Sequence, residues 1–208
     1  MKTRQLNQTF GLCIDWETSG STWNGDSSIL HQGLSVGAVV FKLADFSVVE
    51  TLYREIKFDS TRWKWSDEAQ AIHGLSREHL EVNGVTREEA AVDLAELILK
   101  YWGPTSKVMF LGHNASFDIL FTNQLFEEID IEFSIQAVTK RNGWIQLHHV
   151  VLDTSSVGFI NFGVHKSDLL FDKLGFAERG SHNALQDALQ TVEACRIIRA
   201  ITDEALNG

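Results

Sequence analysis

Between Phe10 and Phe58 the chain carries three consecutive strand-like runs joined by short polar links, and no other stretch restricts the fold as strongly. Residues 10–16 alternate and then run apolar, ending in polar Glu17-Thr18-Ser19-Gly20. Residues 33–43 and 47–58 are rich in Val, Ile, Leu and Tyr and flank the brief Ala44-Asp45-Phe46 link. β-branched and aromatic side chains pack well on a pleated surface, so these runs read as strands, and their sequential order predicts an antiparallel meander. Helical periods then take over. Ser66 can cap a short helix through Ile72, with His73-Gly74 as its stop. Thr86 and Glu89 form a capping-box pattern ahead of a helix over residues 87–102, whose Ala90, Leu94, Leu97, Ile98 and Tyr101 share one stripe. Gly103-Pro104 ends it.

A short apolar strand comes next at residues 107–111, then helical spacing at Phe117, Leu120, Phe121 and Leu125 within residues 114–126. Residues 150–152 read as a last strand, and Leu185, Ala188, Leu189, Val192 and Cys195 mark a final helix. Three strands, helices, strand, helix, strand, helix give an α/β fold: a mixed five-stranded sheet, three strands antiparallel and two parallel, flanked by helices. With no internal repeat and no Pro- or Gly-rich linker, the 208 residues read as a single domain, 1–208, with its core at about 10–199.

Three places in this scheme put acids where acids need a reason. In Asp15-Trp16-Glu17 the strand period sets both carboxylates on one face, roughly 7 Å apart, and turns Trp16 to the other. Like charges at that spacing repel unless a cation lies between them; a solvated strand end would need none. In Phe110-Leu111-Gly112-His113-Asn114-Ala115-Ser116-Phe117-Asp118 a buried strand runs into a helix start, where Asp118 would at least favour the dipole and Asn114 would serve as an N-cap. In His182-Asn183-Ala184-Leu185-Gln186-Asp187 a loop histidine precedes an aspartate at the margin of a buried helix face.

Taken singly, each has a structural explanation. Taken in order, D-x-E, H-N-A-x-F-D and H-x-A-x-x-D resemble the three motifs of the DnaQ-like DEDDh 3′→5′ exonucleases, a superfamily on a ribonuclease H-like fold. Ile72-His73-Gly74-Leu75 resembles that superfamily's I-H-G-I/L segment, and Asp153-Thr154 the D-T that ends its last strand. The resemblance spans about residues 11–199, and its wording is nearest the proofreading exonuclease subunit type.

The resemblance implies catalysis by Asp15, Glu17, Asp118, Asp187 and His182. Asp15 would bridge two divalent cations, Mg²⁺ or Mn²⁺, Glu17 and Asp187 would complete the first site, and Asp118 would support the second through water. Oxygen ligands do select hard cations. His182 would be the general base, its unperturbed pKa of roughly 6.5 suiting it to neutral pH. Thr18, His73 and Asn114 match family positions near substrate. The expected activity is release of nucleoside 5′-monophosphates from 3′ ends of single-stranded nucleic acid, DNA before RNA. The alternatives are an exoribonuclease that trims RNA and, from another class, a non-catalytic polymerase-associated or nucleic-acid-binding subunit.

A net charge of −10 sits oddly with nucleic acid, since tight duplex binding rests on many phosphate neutralisations. It suits an enzyme that grips a strand end through cations, with short substrates or with a polymerase or other protein partner supplying affinity. Three segments offer strand contacts. Trp23, in the polar insertion 19–32, would stack on a terminal base or build a small satellite core. Arg62-Trp63-Lys64-Trp65 interleaves cations and indoles, again either a binding strip or buried tryptophans. Thr139-Lys140-Arg141-Asn142-Gly143-Trp144 carries an Asn-Gly hairpin signal with a basic tip. No run approaches the ~18 apolar residues of a membrane span, residues 1–10 lack the apolar run of a signal peptide, and Cys13 and Cys195 lie in apolar segments, so a cytoplasmic setting without membrane contact is expected.

Overall fold

The computed structural model describes residues 9–20, 30–103, 106–177, 180 and 182–207. Strands β1 (Phe10–Thr18), β2 (Gly33–Lys42) and β3 (Val48–Glu55) form the expected meander. Helices α1 (Asp67–His73), α2 (Arg77–Asn83) and α3 (Arg87–Tyr101) come after it, then β4 (Met109–Gly112), α4 (Ala115–Phe126), a 3₁₀ turn (Glu127–Ile129), β5 (Ile131–Ser134), β6 (Gly143–Gln146), β7 (Leu152–Asp153), α5 (Thr154–Phe162), α6 (Ser167–Lys173) and α7 (Ala184–Asn207). The main sheet runs in the order β3-β2-β1-β4-β7. β1 pairs antiparallel with β2, and β2 with β3, whereas β1–β4 and β4–β7 are parallel. The carboxyl ends of β1, β4 and β7 therefore open onto one edge.

The period of two decides which helix meets which face. Leu12, Ile14 and Trp16 of β1 join Val36, Ala38 and Val40 of β2 in a core closed by Leu94 and Ile98 of α3 and Phe121 and Leu125 of α4. Cys13, Val39, Phe41 and Leu111 point oppositely, onto Ala188 and Val192 of α7. Asp15 and Glu17 share the parity of Cys13, so they emerge on the α7 side. Each fully buried Leu, Ile or Phe contributes about 1.5–3 kcal/mol.

Helix starts and stops obey the local chemistry. Ser66 accepts from the Ala69 N–H at 3.2 Å, and Gly74 in the left-handed region closes α1. The Thr86–Glu89 capping box is complete: Glu89 N–H donates to Thr86 Oγ1 at 3.1 Å, and Thr86 N–H to Glu89 Oε2 at 2.8 Å.

Three short helices, α2, α5 and α6, were not legible as periodic segments. The hairpin expected at Asn142-Gly143 is corrected: β5 and β6 pair in parallel, with Gly143 opposite Ile131. Arg141 is drawn inward, donating to the Ile131 carbonyl at 2.8 Å and pairing with Glu127 at 2.8 Å, so it is no strand-facing cation. In Arg62-Trp63-Lys64-Trp65 the indoles are engaged within the fold, while Arg62 and Lys64 stay exposed. Trp63 is buried, with the Arg62 and Arg87 guanidinium groups 4.2 and 4.4 Å from its ring. Trp65 meets Phe58 edge-on at 4.9 Å under Arg77. Trp23 lies outside the described residues.

Candidate active site

At the carboxyl edge of β1, a cavity of about 130 Å³ is lined by Asp15, Glu17, Asp118, His182 and Asp187, together with Trp16, His113, Phe117, Ser167, Phe171 and Thr191. Four separated stretches of chain thus converge. Glu17, His182 and Asp187 each present a ligand atom within 4.8 Å of the other two. The His182 Nδ1 lies 3.4 Å from Asp187 Oδ2, and its Nε2 4.0 Å from Asp168 Oδ1.

Each acid is held by a distinct piece of backbone logic. Asp15 and Glu17 stand opposite Gly37 and Ser35 of β2. Between them Trp16 points into the other face, where its indole donates to Thr122 Oγ1 at 3.1 Å, and Thr122 in turn donates to the Asp118 carbonyl at 2.7 Å. One strand residue therefore fixes the helix that carries the third acid. Gly112 makes room for the same helix: a Cβ there would lie 2.9 Å from Ala115 Cα and 3.1 Å from Asp118 Oδ2. Asp187 sits in the first turn of α7, where the helix dipole favours a carboxylate, and its N–H donates to the Asn183 carbonyl at 2.9 Å.

Electrostatically the cluster is strained. Asp118 is 2 % exposed, and burial pushes its carboxyl well above the usual range; Asp153 and Glu17 push the same way, against hydrogen bonds from the Trp16 and Asp118 backbone. Beneath the site, burial raises the Cys13 thiol, and Asp15 and Asp118 add to that shift. A divalent cation would relieve this repulsion, and the all-oxygen carboxylate set suits a hard one. The residues present fit such an ion.

Thr18, His73 and Asn114 do not line this cavity among the described residues. The Thr18 hydroxyl donates to the Gly20 carbonyl at 3.1 Å. His73 is buried, with Nδ1 accepting from the Leu75 N–H at 3.0 Å; burial lowers its pKa, a backbone hydrogen bond to Thr18 opposes that, and His182 lowers it further. Asn114 is exposed in the left-handed region, and its side chain makes no cap hydrogen bond. Asp153 caps instead, accepting from the N–H groups of Asn114 (3.2 Å), Ala115 (3.2 Å) and Ser155 (2.8 Å), and so joins β7 to the starts of α4 and α5.

Sequence reasoning missed Asp168, Ser167 and Phe171, all on α6. That helix has seven residues and no complete apolar period, so no signal marked it. His113, whose ring nitrogens meet Thr154 Oγ1 at 3.0 Å and the His165 carbonyl at 2.9 Å, was legible only as part of the H-N-A-x-F-D stretch.

Residues 12–195 match the family described as RNase T, exonuclease. The chain belongs to this exonuclease family, and its three motifs are of the DEDDh type. A 3′-5′ DNA exonuclease, Cap18, from Escherichia coli is 28 % identical over 138 residues, which cover 65 % of this chain and 68 % of that one. Escherichia coli exonuclease I in complex with a dT13 oligonucleotide superposes with a TM-score of 0.69 at 16 % identity, over 96 % of this chain and 43 % of that one. The nuclease domain of 3′hExo, a DEDDh family member, bound to rAMP gives 0.66 at 14 % identity, over 95 and 94 %. The chain spans about two fifths of the exonuclease I chains it resembles.

Proposed function

We propose that this protein is a metal-dependent 3′→5′ exonuclease that removes nucleoside 5′-monophosphates from 3′ ends of single strands, DNA before RNA. The observation that carries the reading is the convergence of Glu17, Asp187 and His182 within 4.8 Å, on a cavity also lined by Asp15 and Asp118. Catalytic roles go to Asp15, Glu17, Asp118, Asp187 and His182, and the four acids double as metal ligands. Two divalent cations, Mg²⁺ or Mn²⁺, would supply charge neutralisation at the scissile phosphate and leaving 3′ oxygen and a lowered pKa for the attacking water.

The chain's own residues do the rest. Asp15, Glu17 and Asp187 would hold one cation, and Asp118 would support the second. His182, partly exposed at the cavity mouth beside Asp187, accepts the proton of the attacking water. Trp16, through Thr122, keeps the α4 acid in register with the β1 pair.

DNA is favoured because the E. coli relative is described as a DNA exonuclease and exonuclease I holds a dT13 oligonucleotide. The second reading, an exoribonuclease, draws on the rAMP bound to 3′hExo and on a further fold relative that recognises a histone mRNA stem-loop. A non-catalytic subunit would have no need of all five site residues. Labelled single-stranded DNA and RNA, each with Mg²⁺, Mn²⁺ or EDTA, separate these readings. Mononucleotides should appear from the 3′ end with either metal and not with EDTA, faster from DNA. Faster release from RNA selects the second reading, and no release from either rejects both.

A further inference from the structure

The strand end that carries Glu17 is tied to a pair of aromatic rings under a cation, a feature the catalytic reading leaves unused. Ser19, two residues beyond Glu17 and 1 % exposed, is the tie. Its N–H donates to the Gln32 carbonyl at 2.8 Å, and its carbonyl accepts from the Ser66 N–H at 2.7 Å. Its hydroxyl accepts from the Gln32 N–H at 2.9 Å and donates to the Lys64 carbonyl at 2.7 Å. Gln32, fully buried, reaches the next stretch: its amide donates to the Lys57 carbonyl at 2.7 Å, and its Oε1 accepts from the Asp59 N–H at 2.8 Å. Residues 57–59 and 64–66 are thereby fixed to the catalytic strand. With them come Phe58 and Trp65, whose rings meet edge-on at 4.9 Å. The Trp65 indole donates to Gln70 Oε1 of α1 at 3.1 Å. Near the end of that helix the Ile72 carbonyl accepts from the His182 N–H at 3.2 Å. α1 therefore spans from the strand end that bears Glu17 to the loop that bears His182.

A tight reversal brings Arg77 onto these rings. Gly74 in the left-handed region ends α1, Leu75 N–H donates to His73 Nδ1 at 3.0 Å, and Ser76 caps α2 by accepting from the His79 N–H at 3.1 Å. Fully buried Leu80 anchors α2. The guanidinium carbon of Arg77 then lies 5.0 Å from the Trp65 ring centroid and 5.6 Å from that of Phe58. Both distances fall inside the roughly 6 Å over which a ring face attracts a cation. Among the described residues Arg54, Arg62, Arg87, Arg141 and Arg196 are ion-paired, and Arg199 donates to two carbonyls. Arg77 is the one described arginine with neither kind of partner, and it is exposed. A guanidinium stacked on rings keeps its N–H fork for two oxygens of one anion, the geometry that suits a phosphate.

We infer that Arg77 binds a backbone phosphate of the substrate strand, on the 5′ side of the bond being cut. Neither Arg77 nor Trp65 lines the acid-lined cavity. The 3′ end fills that cavity, so any phosphate that reaches Arg77 belongs to the 5′ part of the strand. The inference rests on the exonuclease reading for the identity of its ligand. On a chain of net charge −10, one unpaired arginine favours strands over dinucleotides without conferring the many phosphate contacts of tight duplex binding.

Arg77→Gln removes the charge and the fork. With Mg²⁺ it should raise KM for a thymidine dodecanucleotide about three- to tenfold, keep kcat within about twofold, and leave KM for a thymidine dinucleotide unchanged. Arg77→Lys keeps the charge without the fork and should recover only part of the loss. Lys42→Gln makes the same change in net charge beside the start of β1, at the other end of the sheet, and should have no effect. An unchanged KM for the long strand, an equal rise for the dinucleotide, or an equal rise in Lys42→Gln overturns the proposal. So does a lowered thermal midpoint in Arg77→Gln, which would make the residue a structural one. Fluorescence anisotropy of a labelled thymidine dodecanucleotide with Ca²⁺-loaded protein supplies a readout that needs no turnover. Arg77→Gln should bind more weakly there, with a salt dependence shallower by about 0.7 in log–log slope. Identical slopes, or no binding by the wild type, also overturn it. Wild-type protein that binds the strand but releases no mononucleotide would remove the exonuclease reading and leave this binding test standing.

Discussion

At the scale of single residues, the site is a set of carboxylates gathered on one small cavity. Asp118 shows this most sharply, being 2 % exposed with burial and two neighbouring acids raising its pKa. Asp118→Asn should therefore abolish metal-dependent turnover and raise the thermal midpoint of the metal-free protein, since a neutral isostere removes the cost of burying a charge and the weaker repulsion from Asp153 and Glu17. At about 2–4 °C per kcal/mol for a chain of this size, a shift of a few degrees is expected in a melting curve. A lower midpoint would mean that the carboxylate is stabilising and that no repulsion is stored there. His182 is a sharper case, because the proposed base also offers a ligand atom beside Glu17 and Asp187. His182→Ala should cost about 10²–10⁴ in kcat and leave Mn²⁺ affinity, read by calorimetry, within about twofold. Loss of metal binding would make it a ligand.

At the scale of elements, legibility depended on length and period. β1, β2, β3, α3 and α7 were readable because each repeats its pattern over several turns or pleats; the complete Thr86–Glu89 box begins α3 where the sequence placed it. α2, α5 and α6 were not, because seven to nine residues bury too few side chains to show a period. The five candidate catalytic residues were legible from motif wording, whereas Asp168 was not: only the folded chain brings α6 beside the histidine loop. The Asn-Gly signal misled because the tether of the 135–142 connection is a side chain. Glu132 is 3 % exposed under a thin cover of loop. Burial pushes its pKa up, but hydrogen bonds from the Thr139 hydroxyl, the Val138 N–H, the Ser134 hydroxyl and the Thr139 N–H outweigh it and hold the pKa at about 2, below an ordinary value of 4.5. A depressed acid contributes its stability fully above the unfolded pKa and loses it as pH falls through the folded one. Glu132→Gln should therefore destabilise the protein near pH 7, with the deficit shrinking from pH 4.5 to pH 2. Equal deficits across that range would show that the carboxylate's charge plays no part.

For the whole molecule, two facts have to be held together: a net charge of −10 and a proposed appetite for polyanions. The fold sharpens the tension, because cations that looked free in the sequence are engaged. Arg62 packs on Trp63 and pairs with Glu128, and Arg141 pairs with Glu127. On the proposed reading, affinity for a strand depends on cations bound at the acids, and KM should respond far more to divalent metal than to monovalent salt. Among the described residues no helix is long and apolar enough to cross a membrane. The two main cores share one sheet, which couples α3 and α4 on one face to α7 on the other. Displacement of α7 would move Asp187 and the acids' geometry together, so fold and site are one mechanical object.

The proposed activity requires the four carboxylates to act jointly as a cradle for two ions. Crystals grown with Mn²⁺ and a nucleoside 5′-monophosphate, measured at the manganese absorption edge, probe that requirement without intermediaries. Two anomalous peaks about 3.5–4 Å apart, among Asp15, Glu17, Asp118 and Asp187, are predicted. Manganese bound elsewhere, or a fully loaded crystal with nothing between those four side chains, would contradict it.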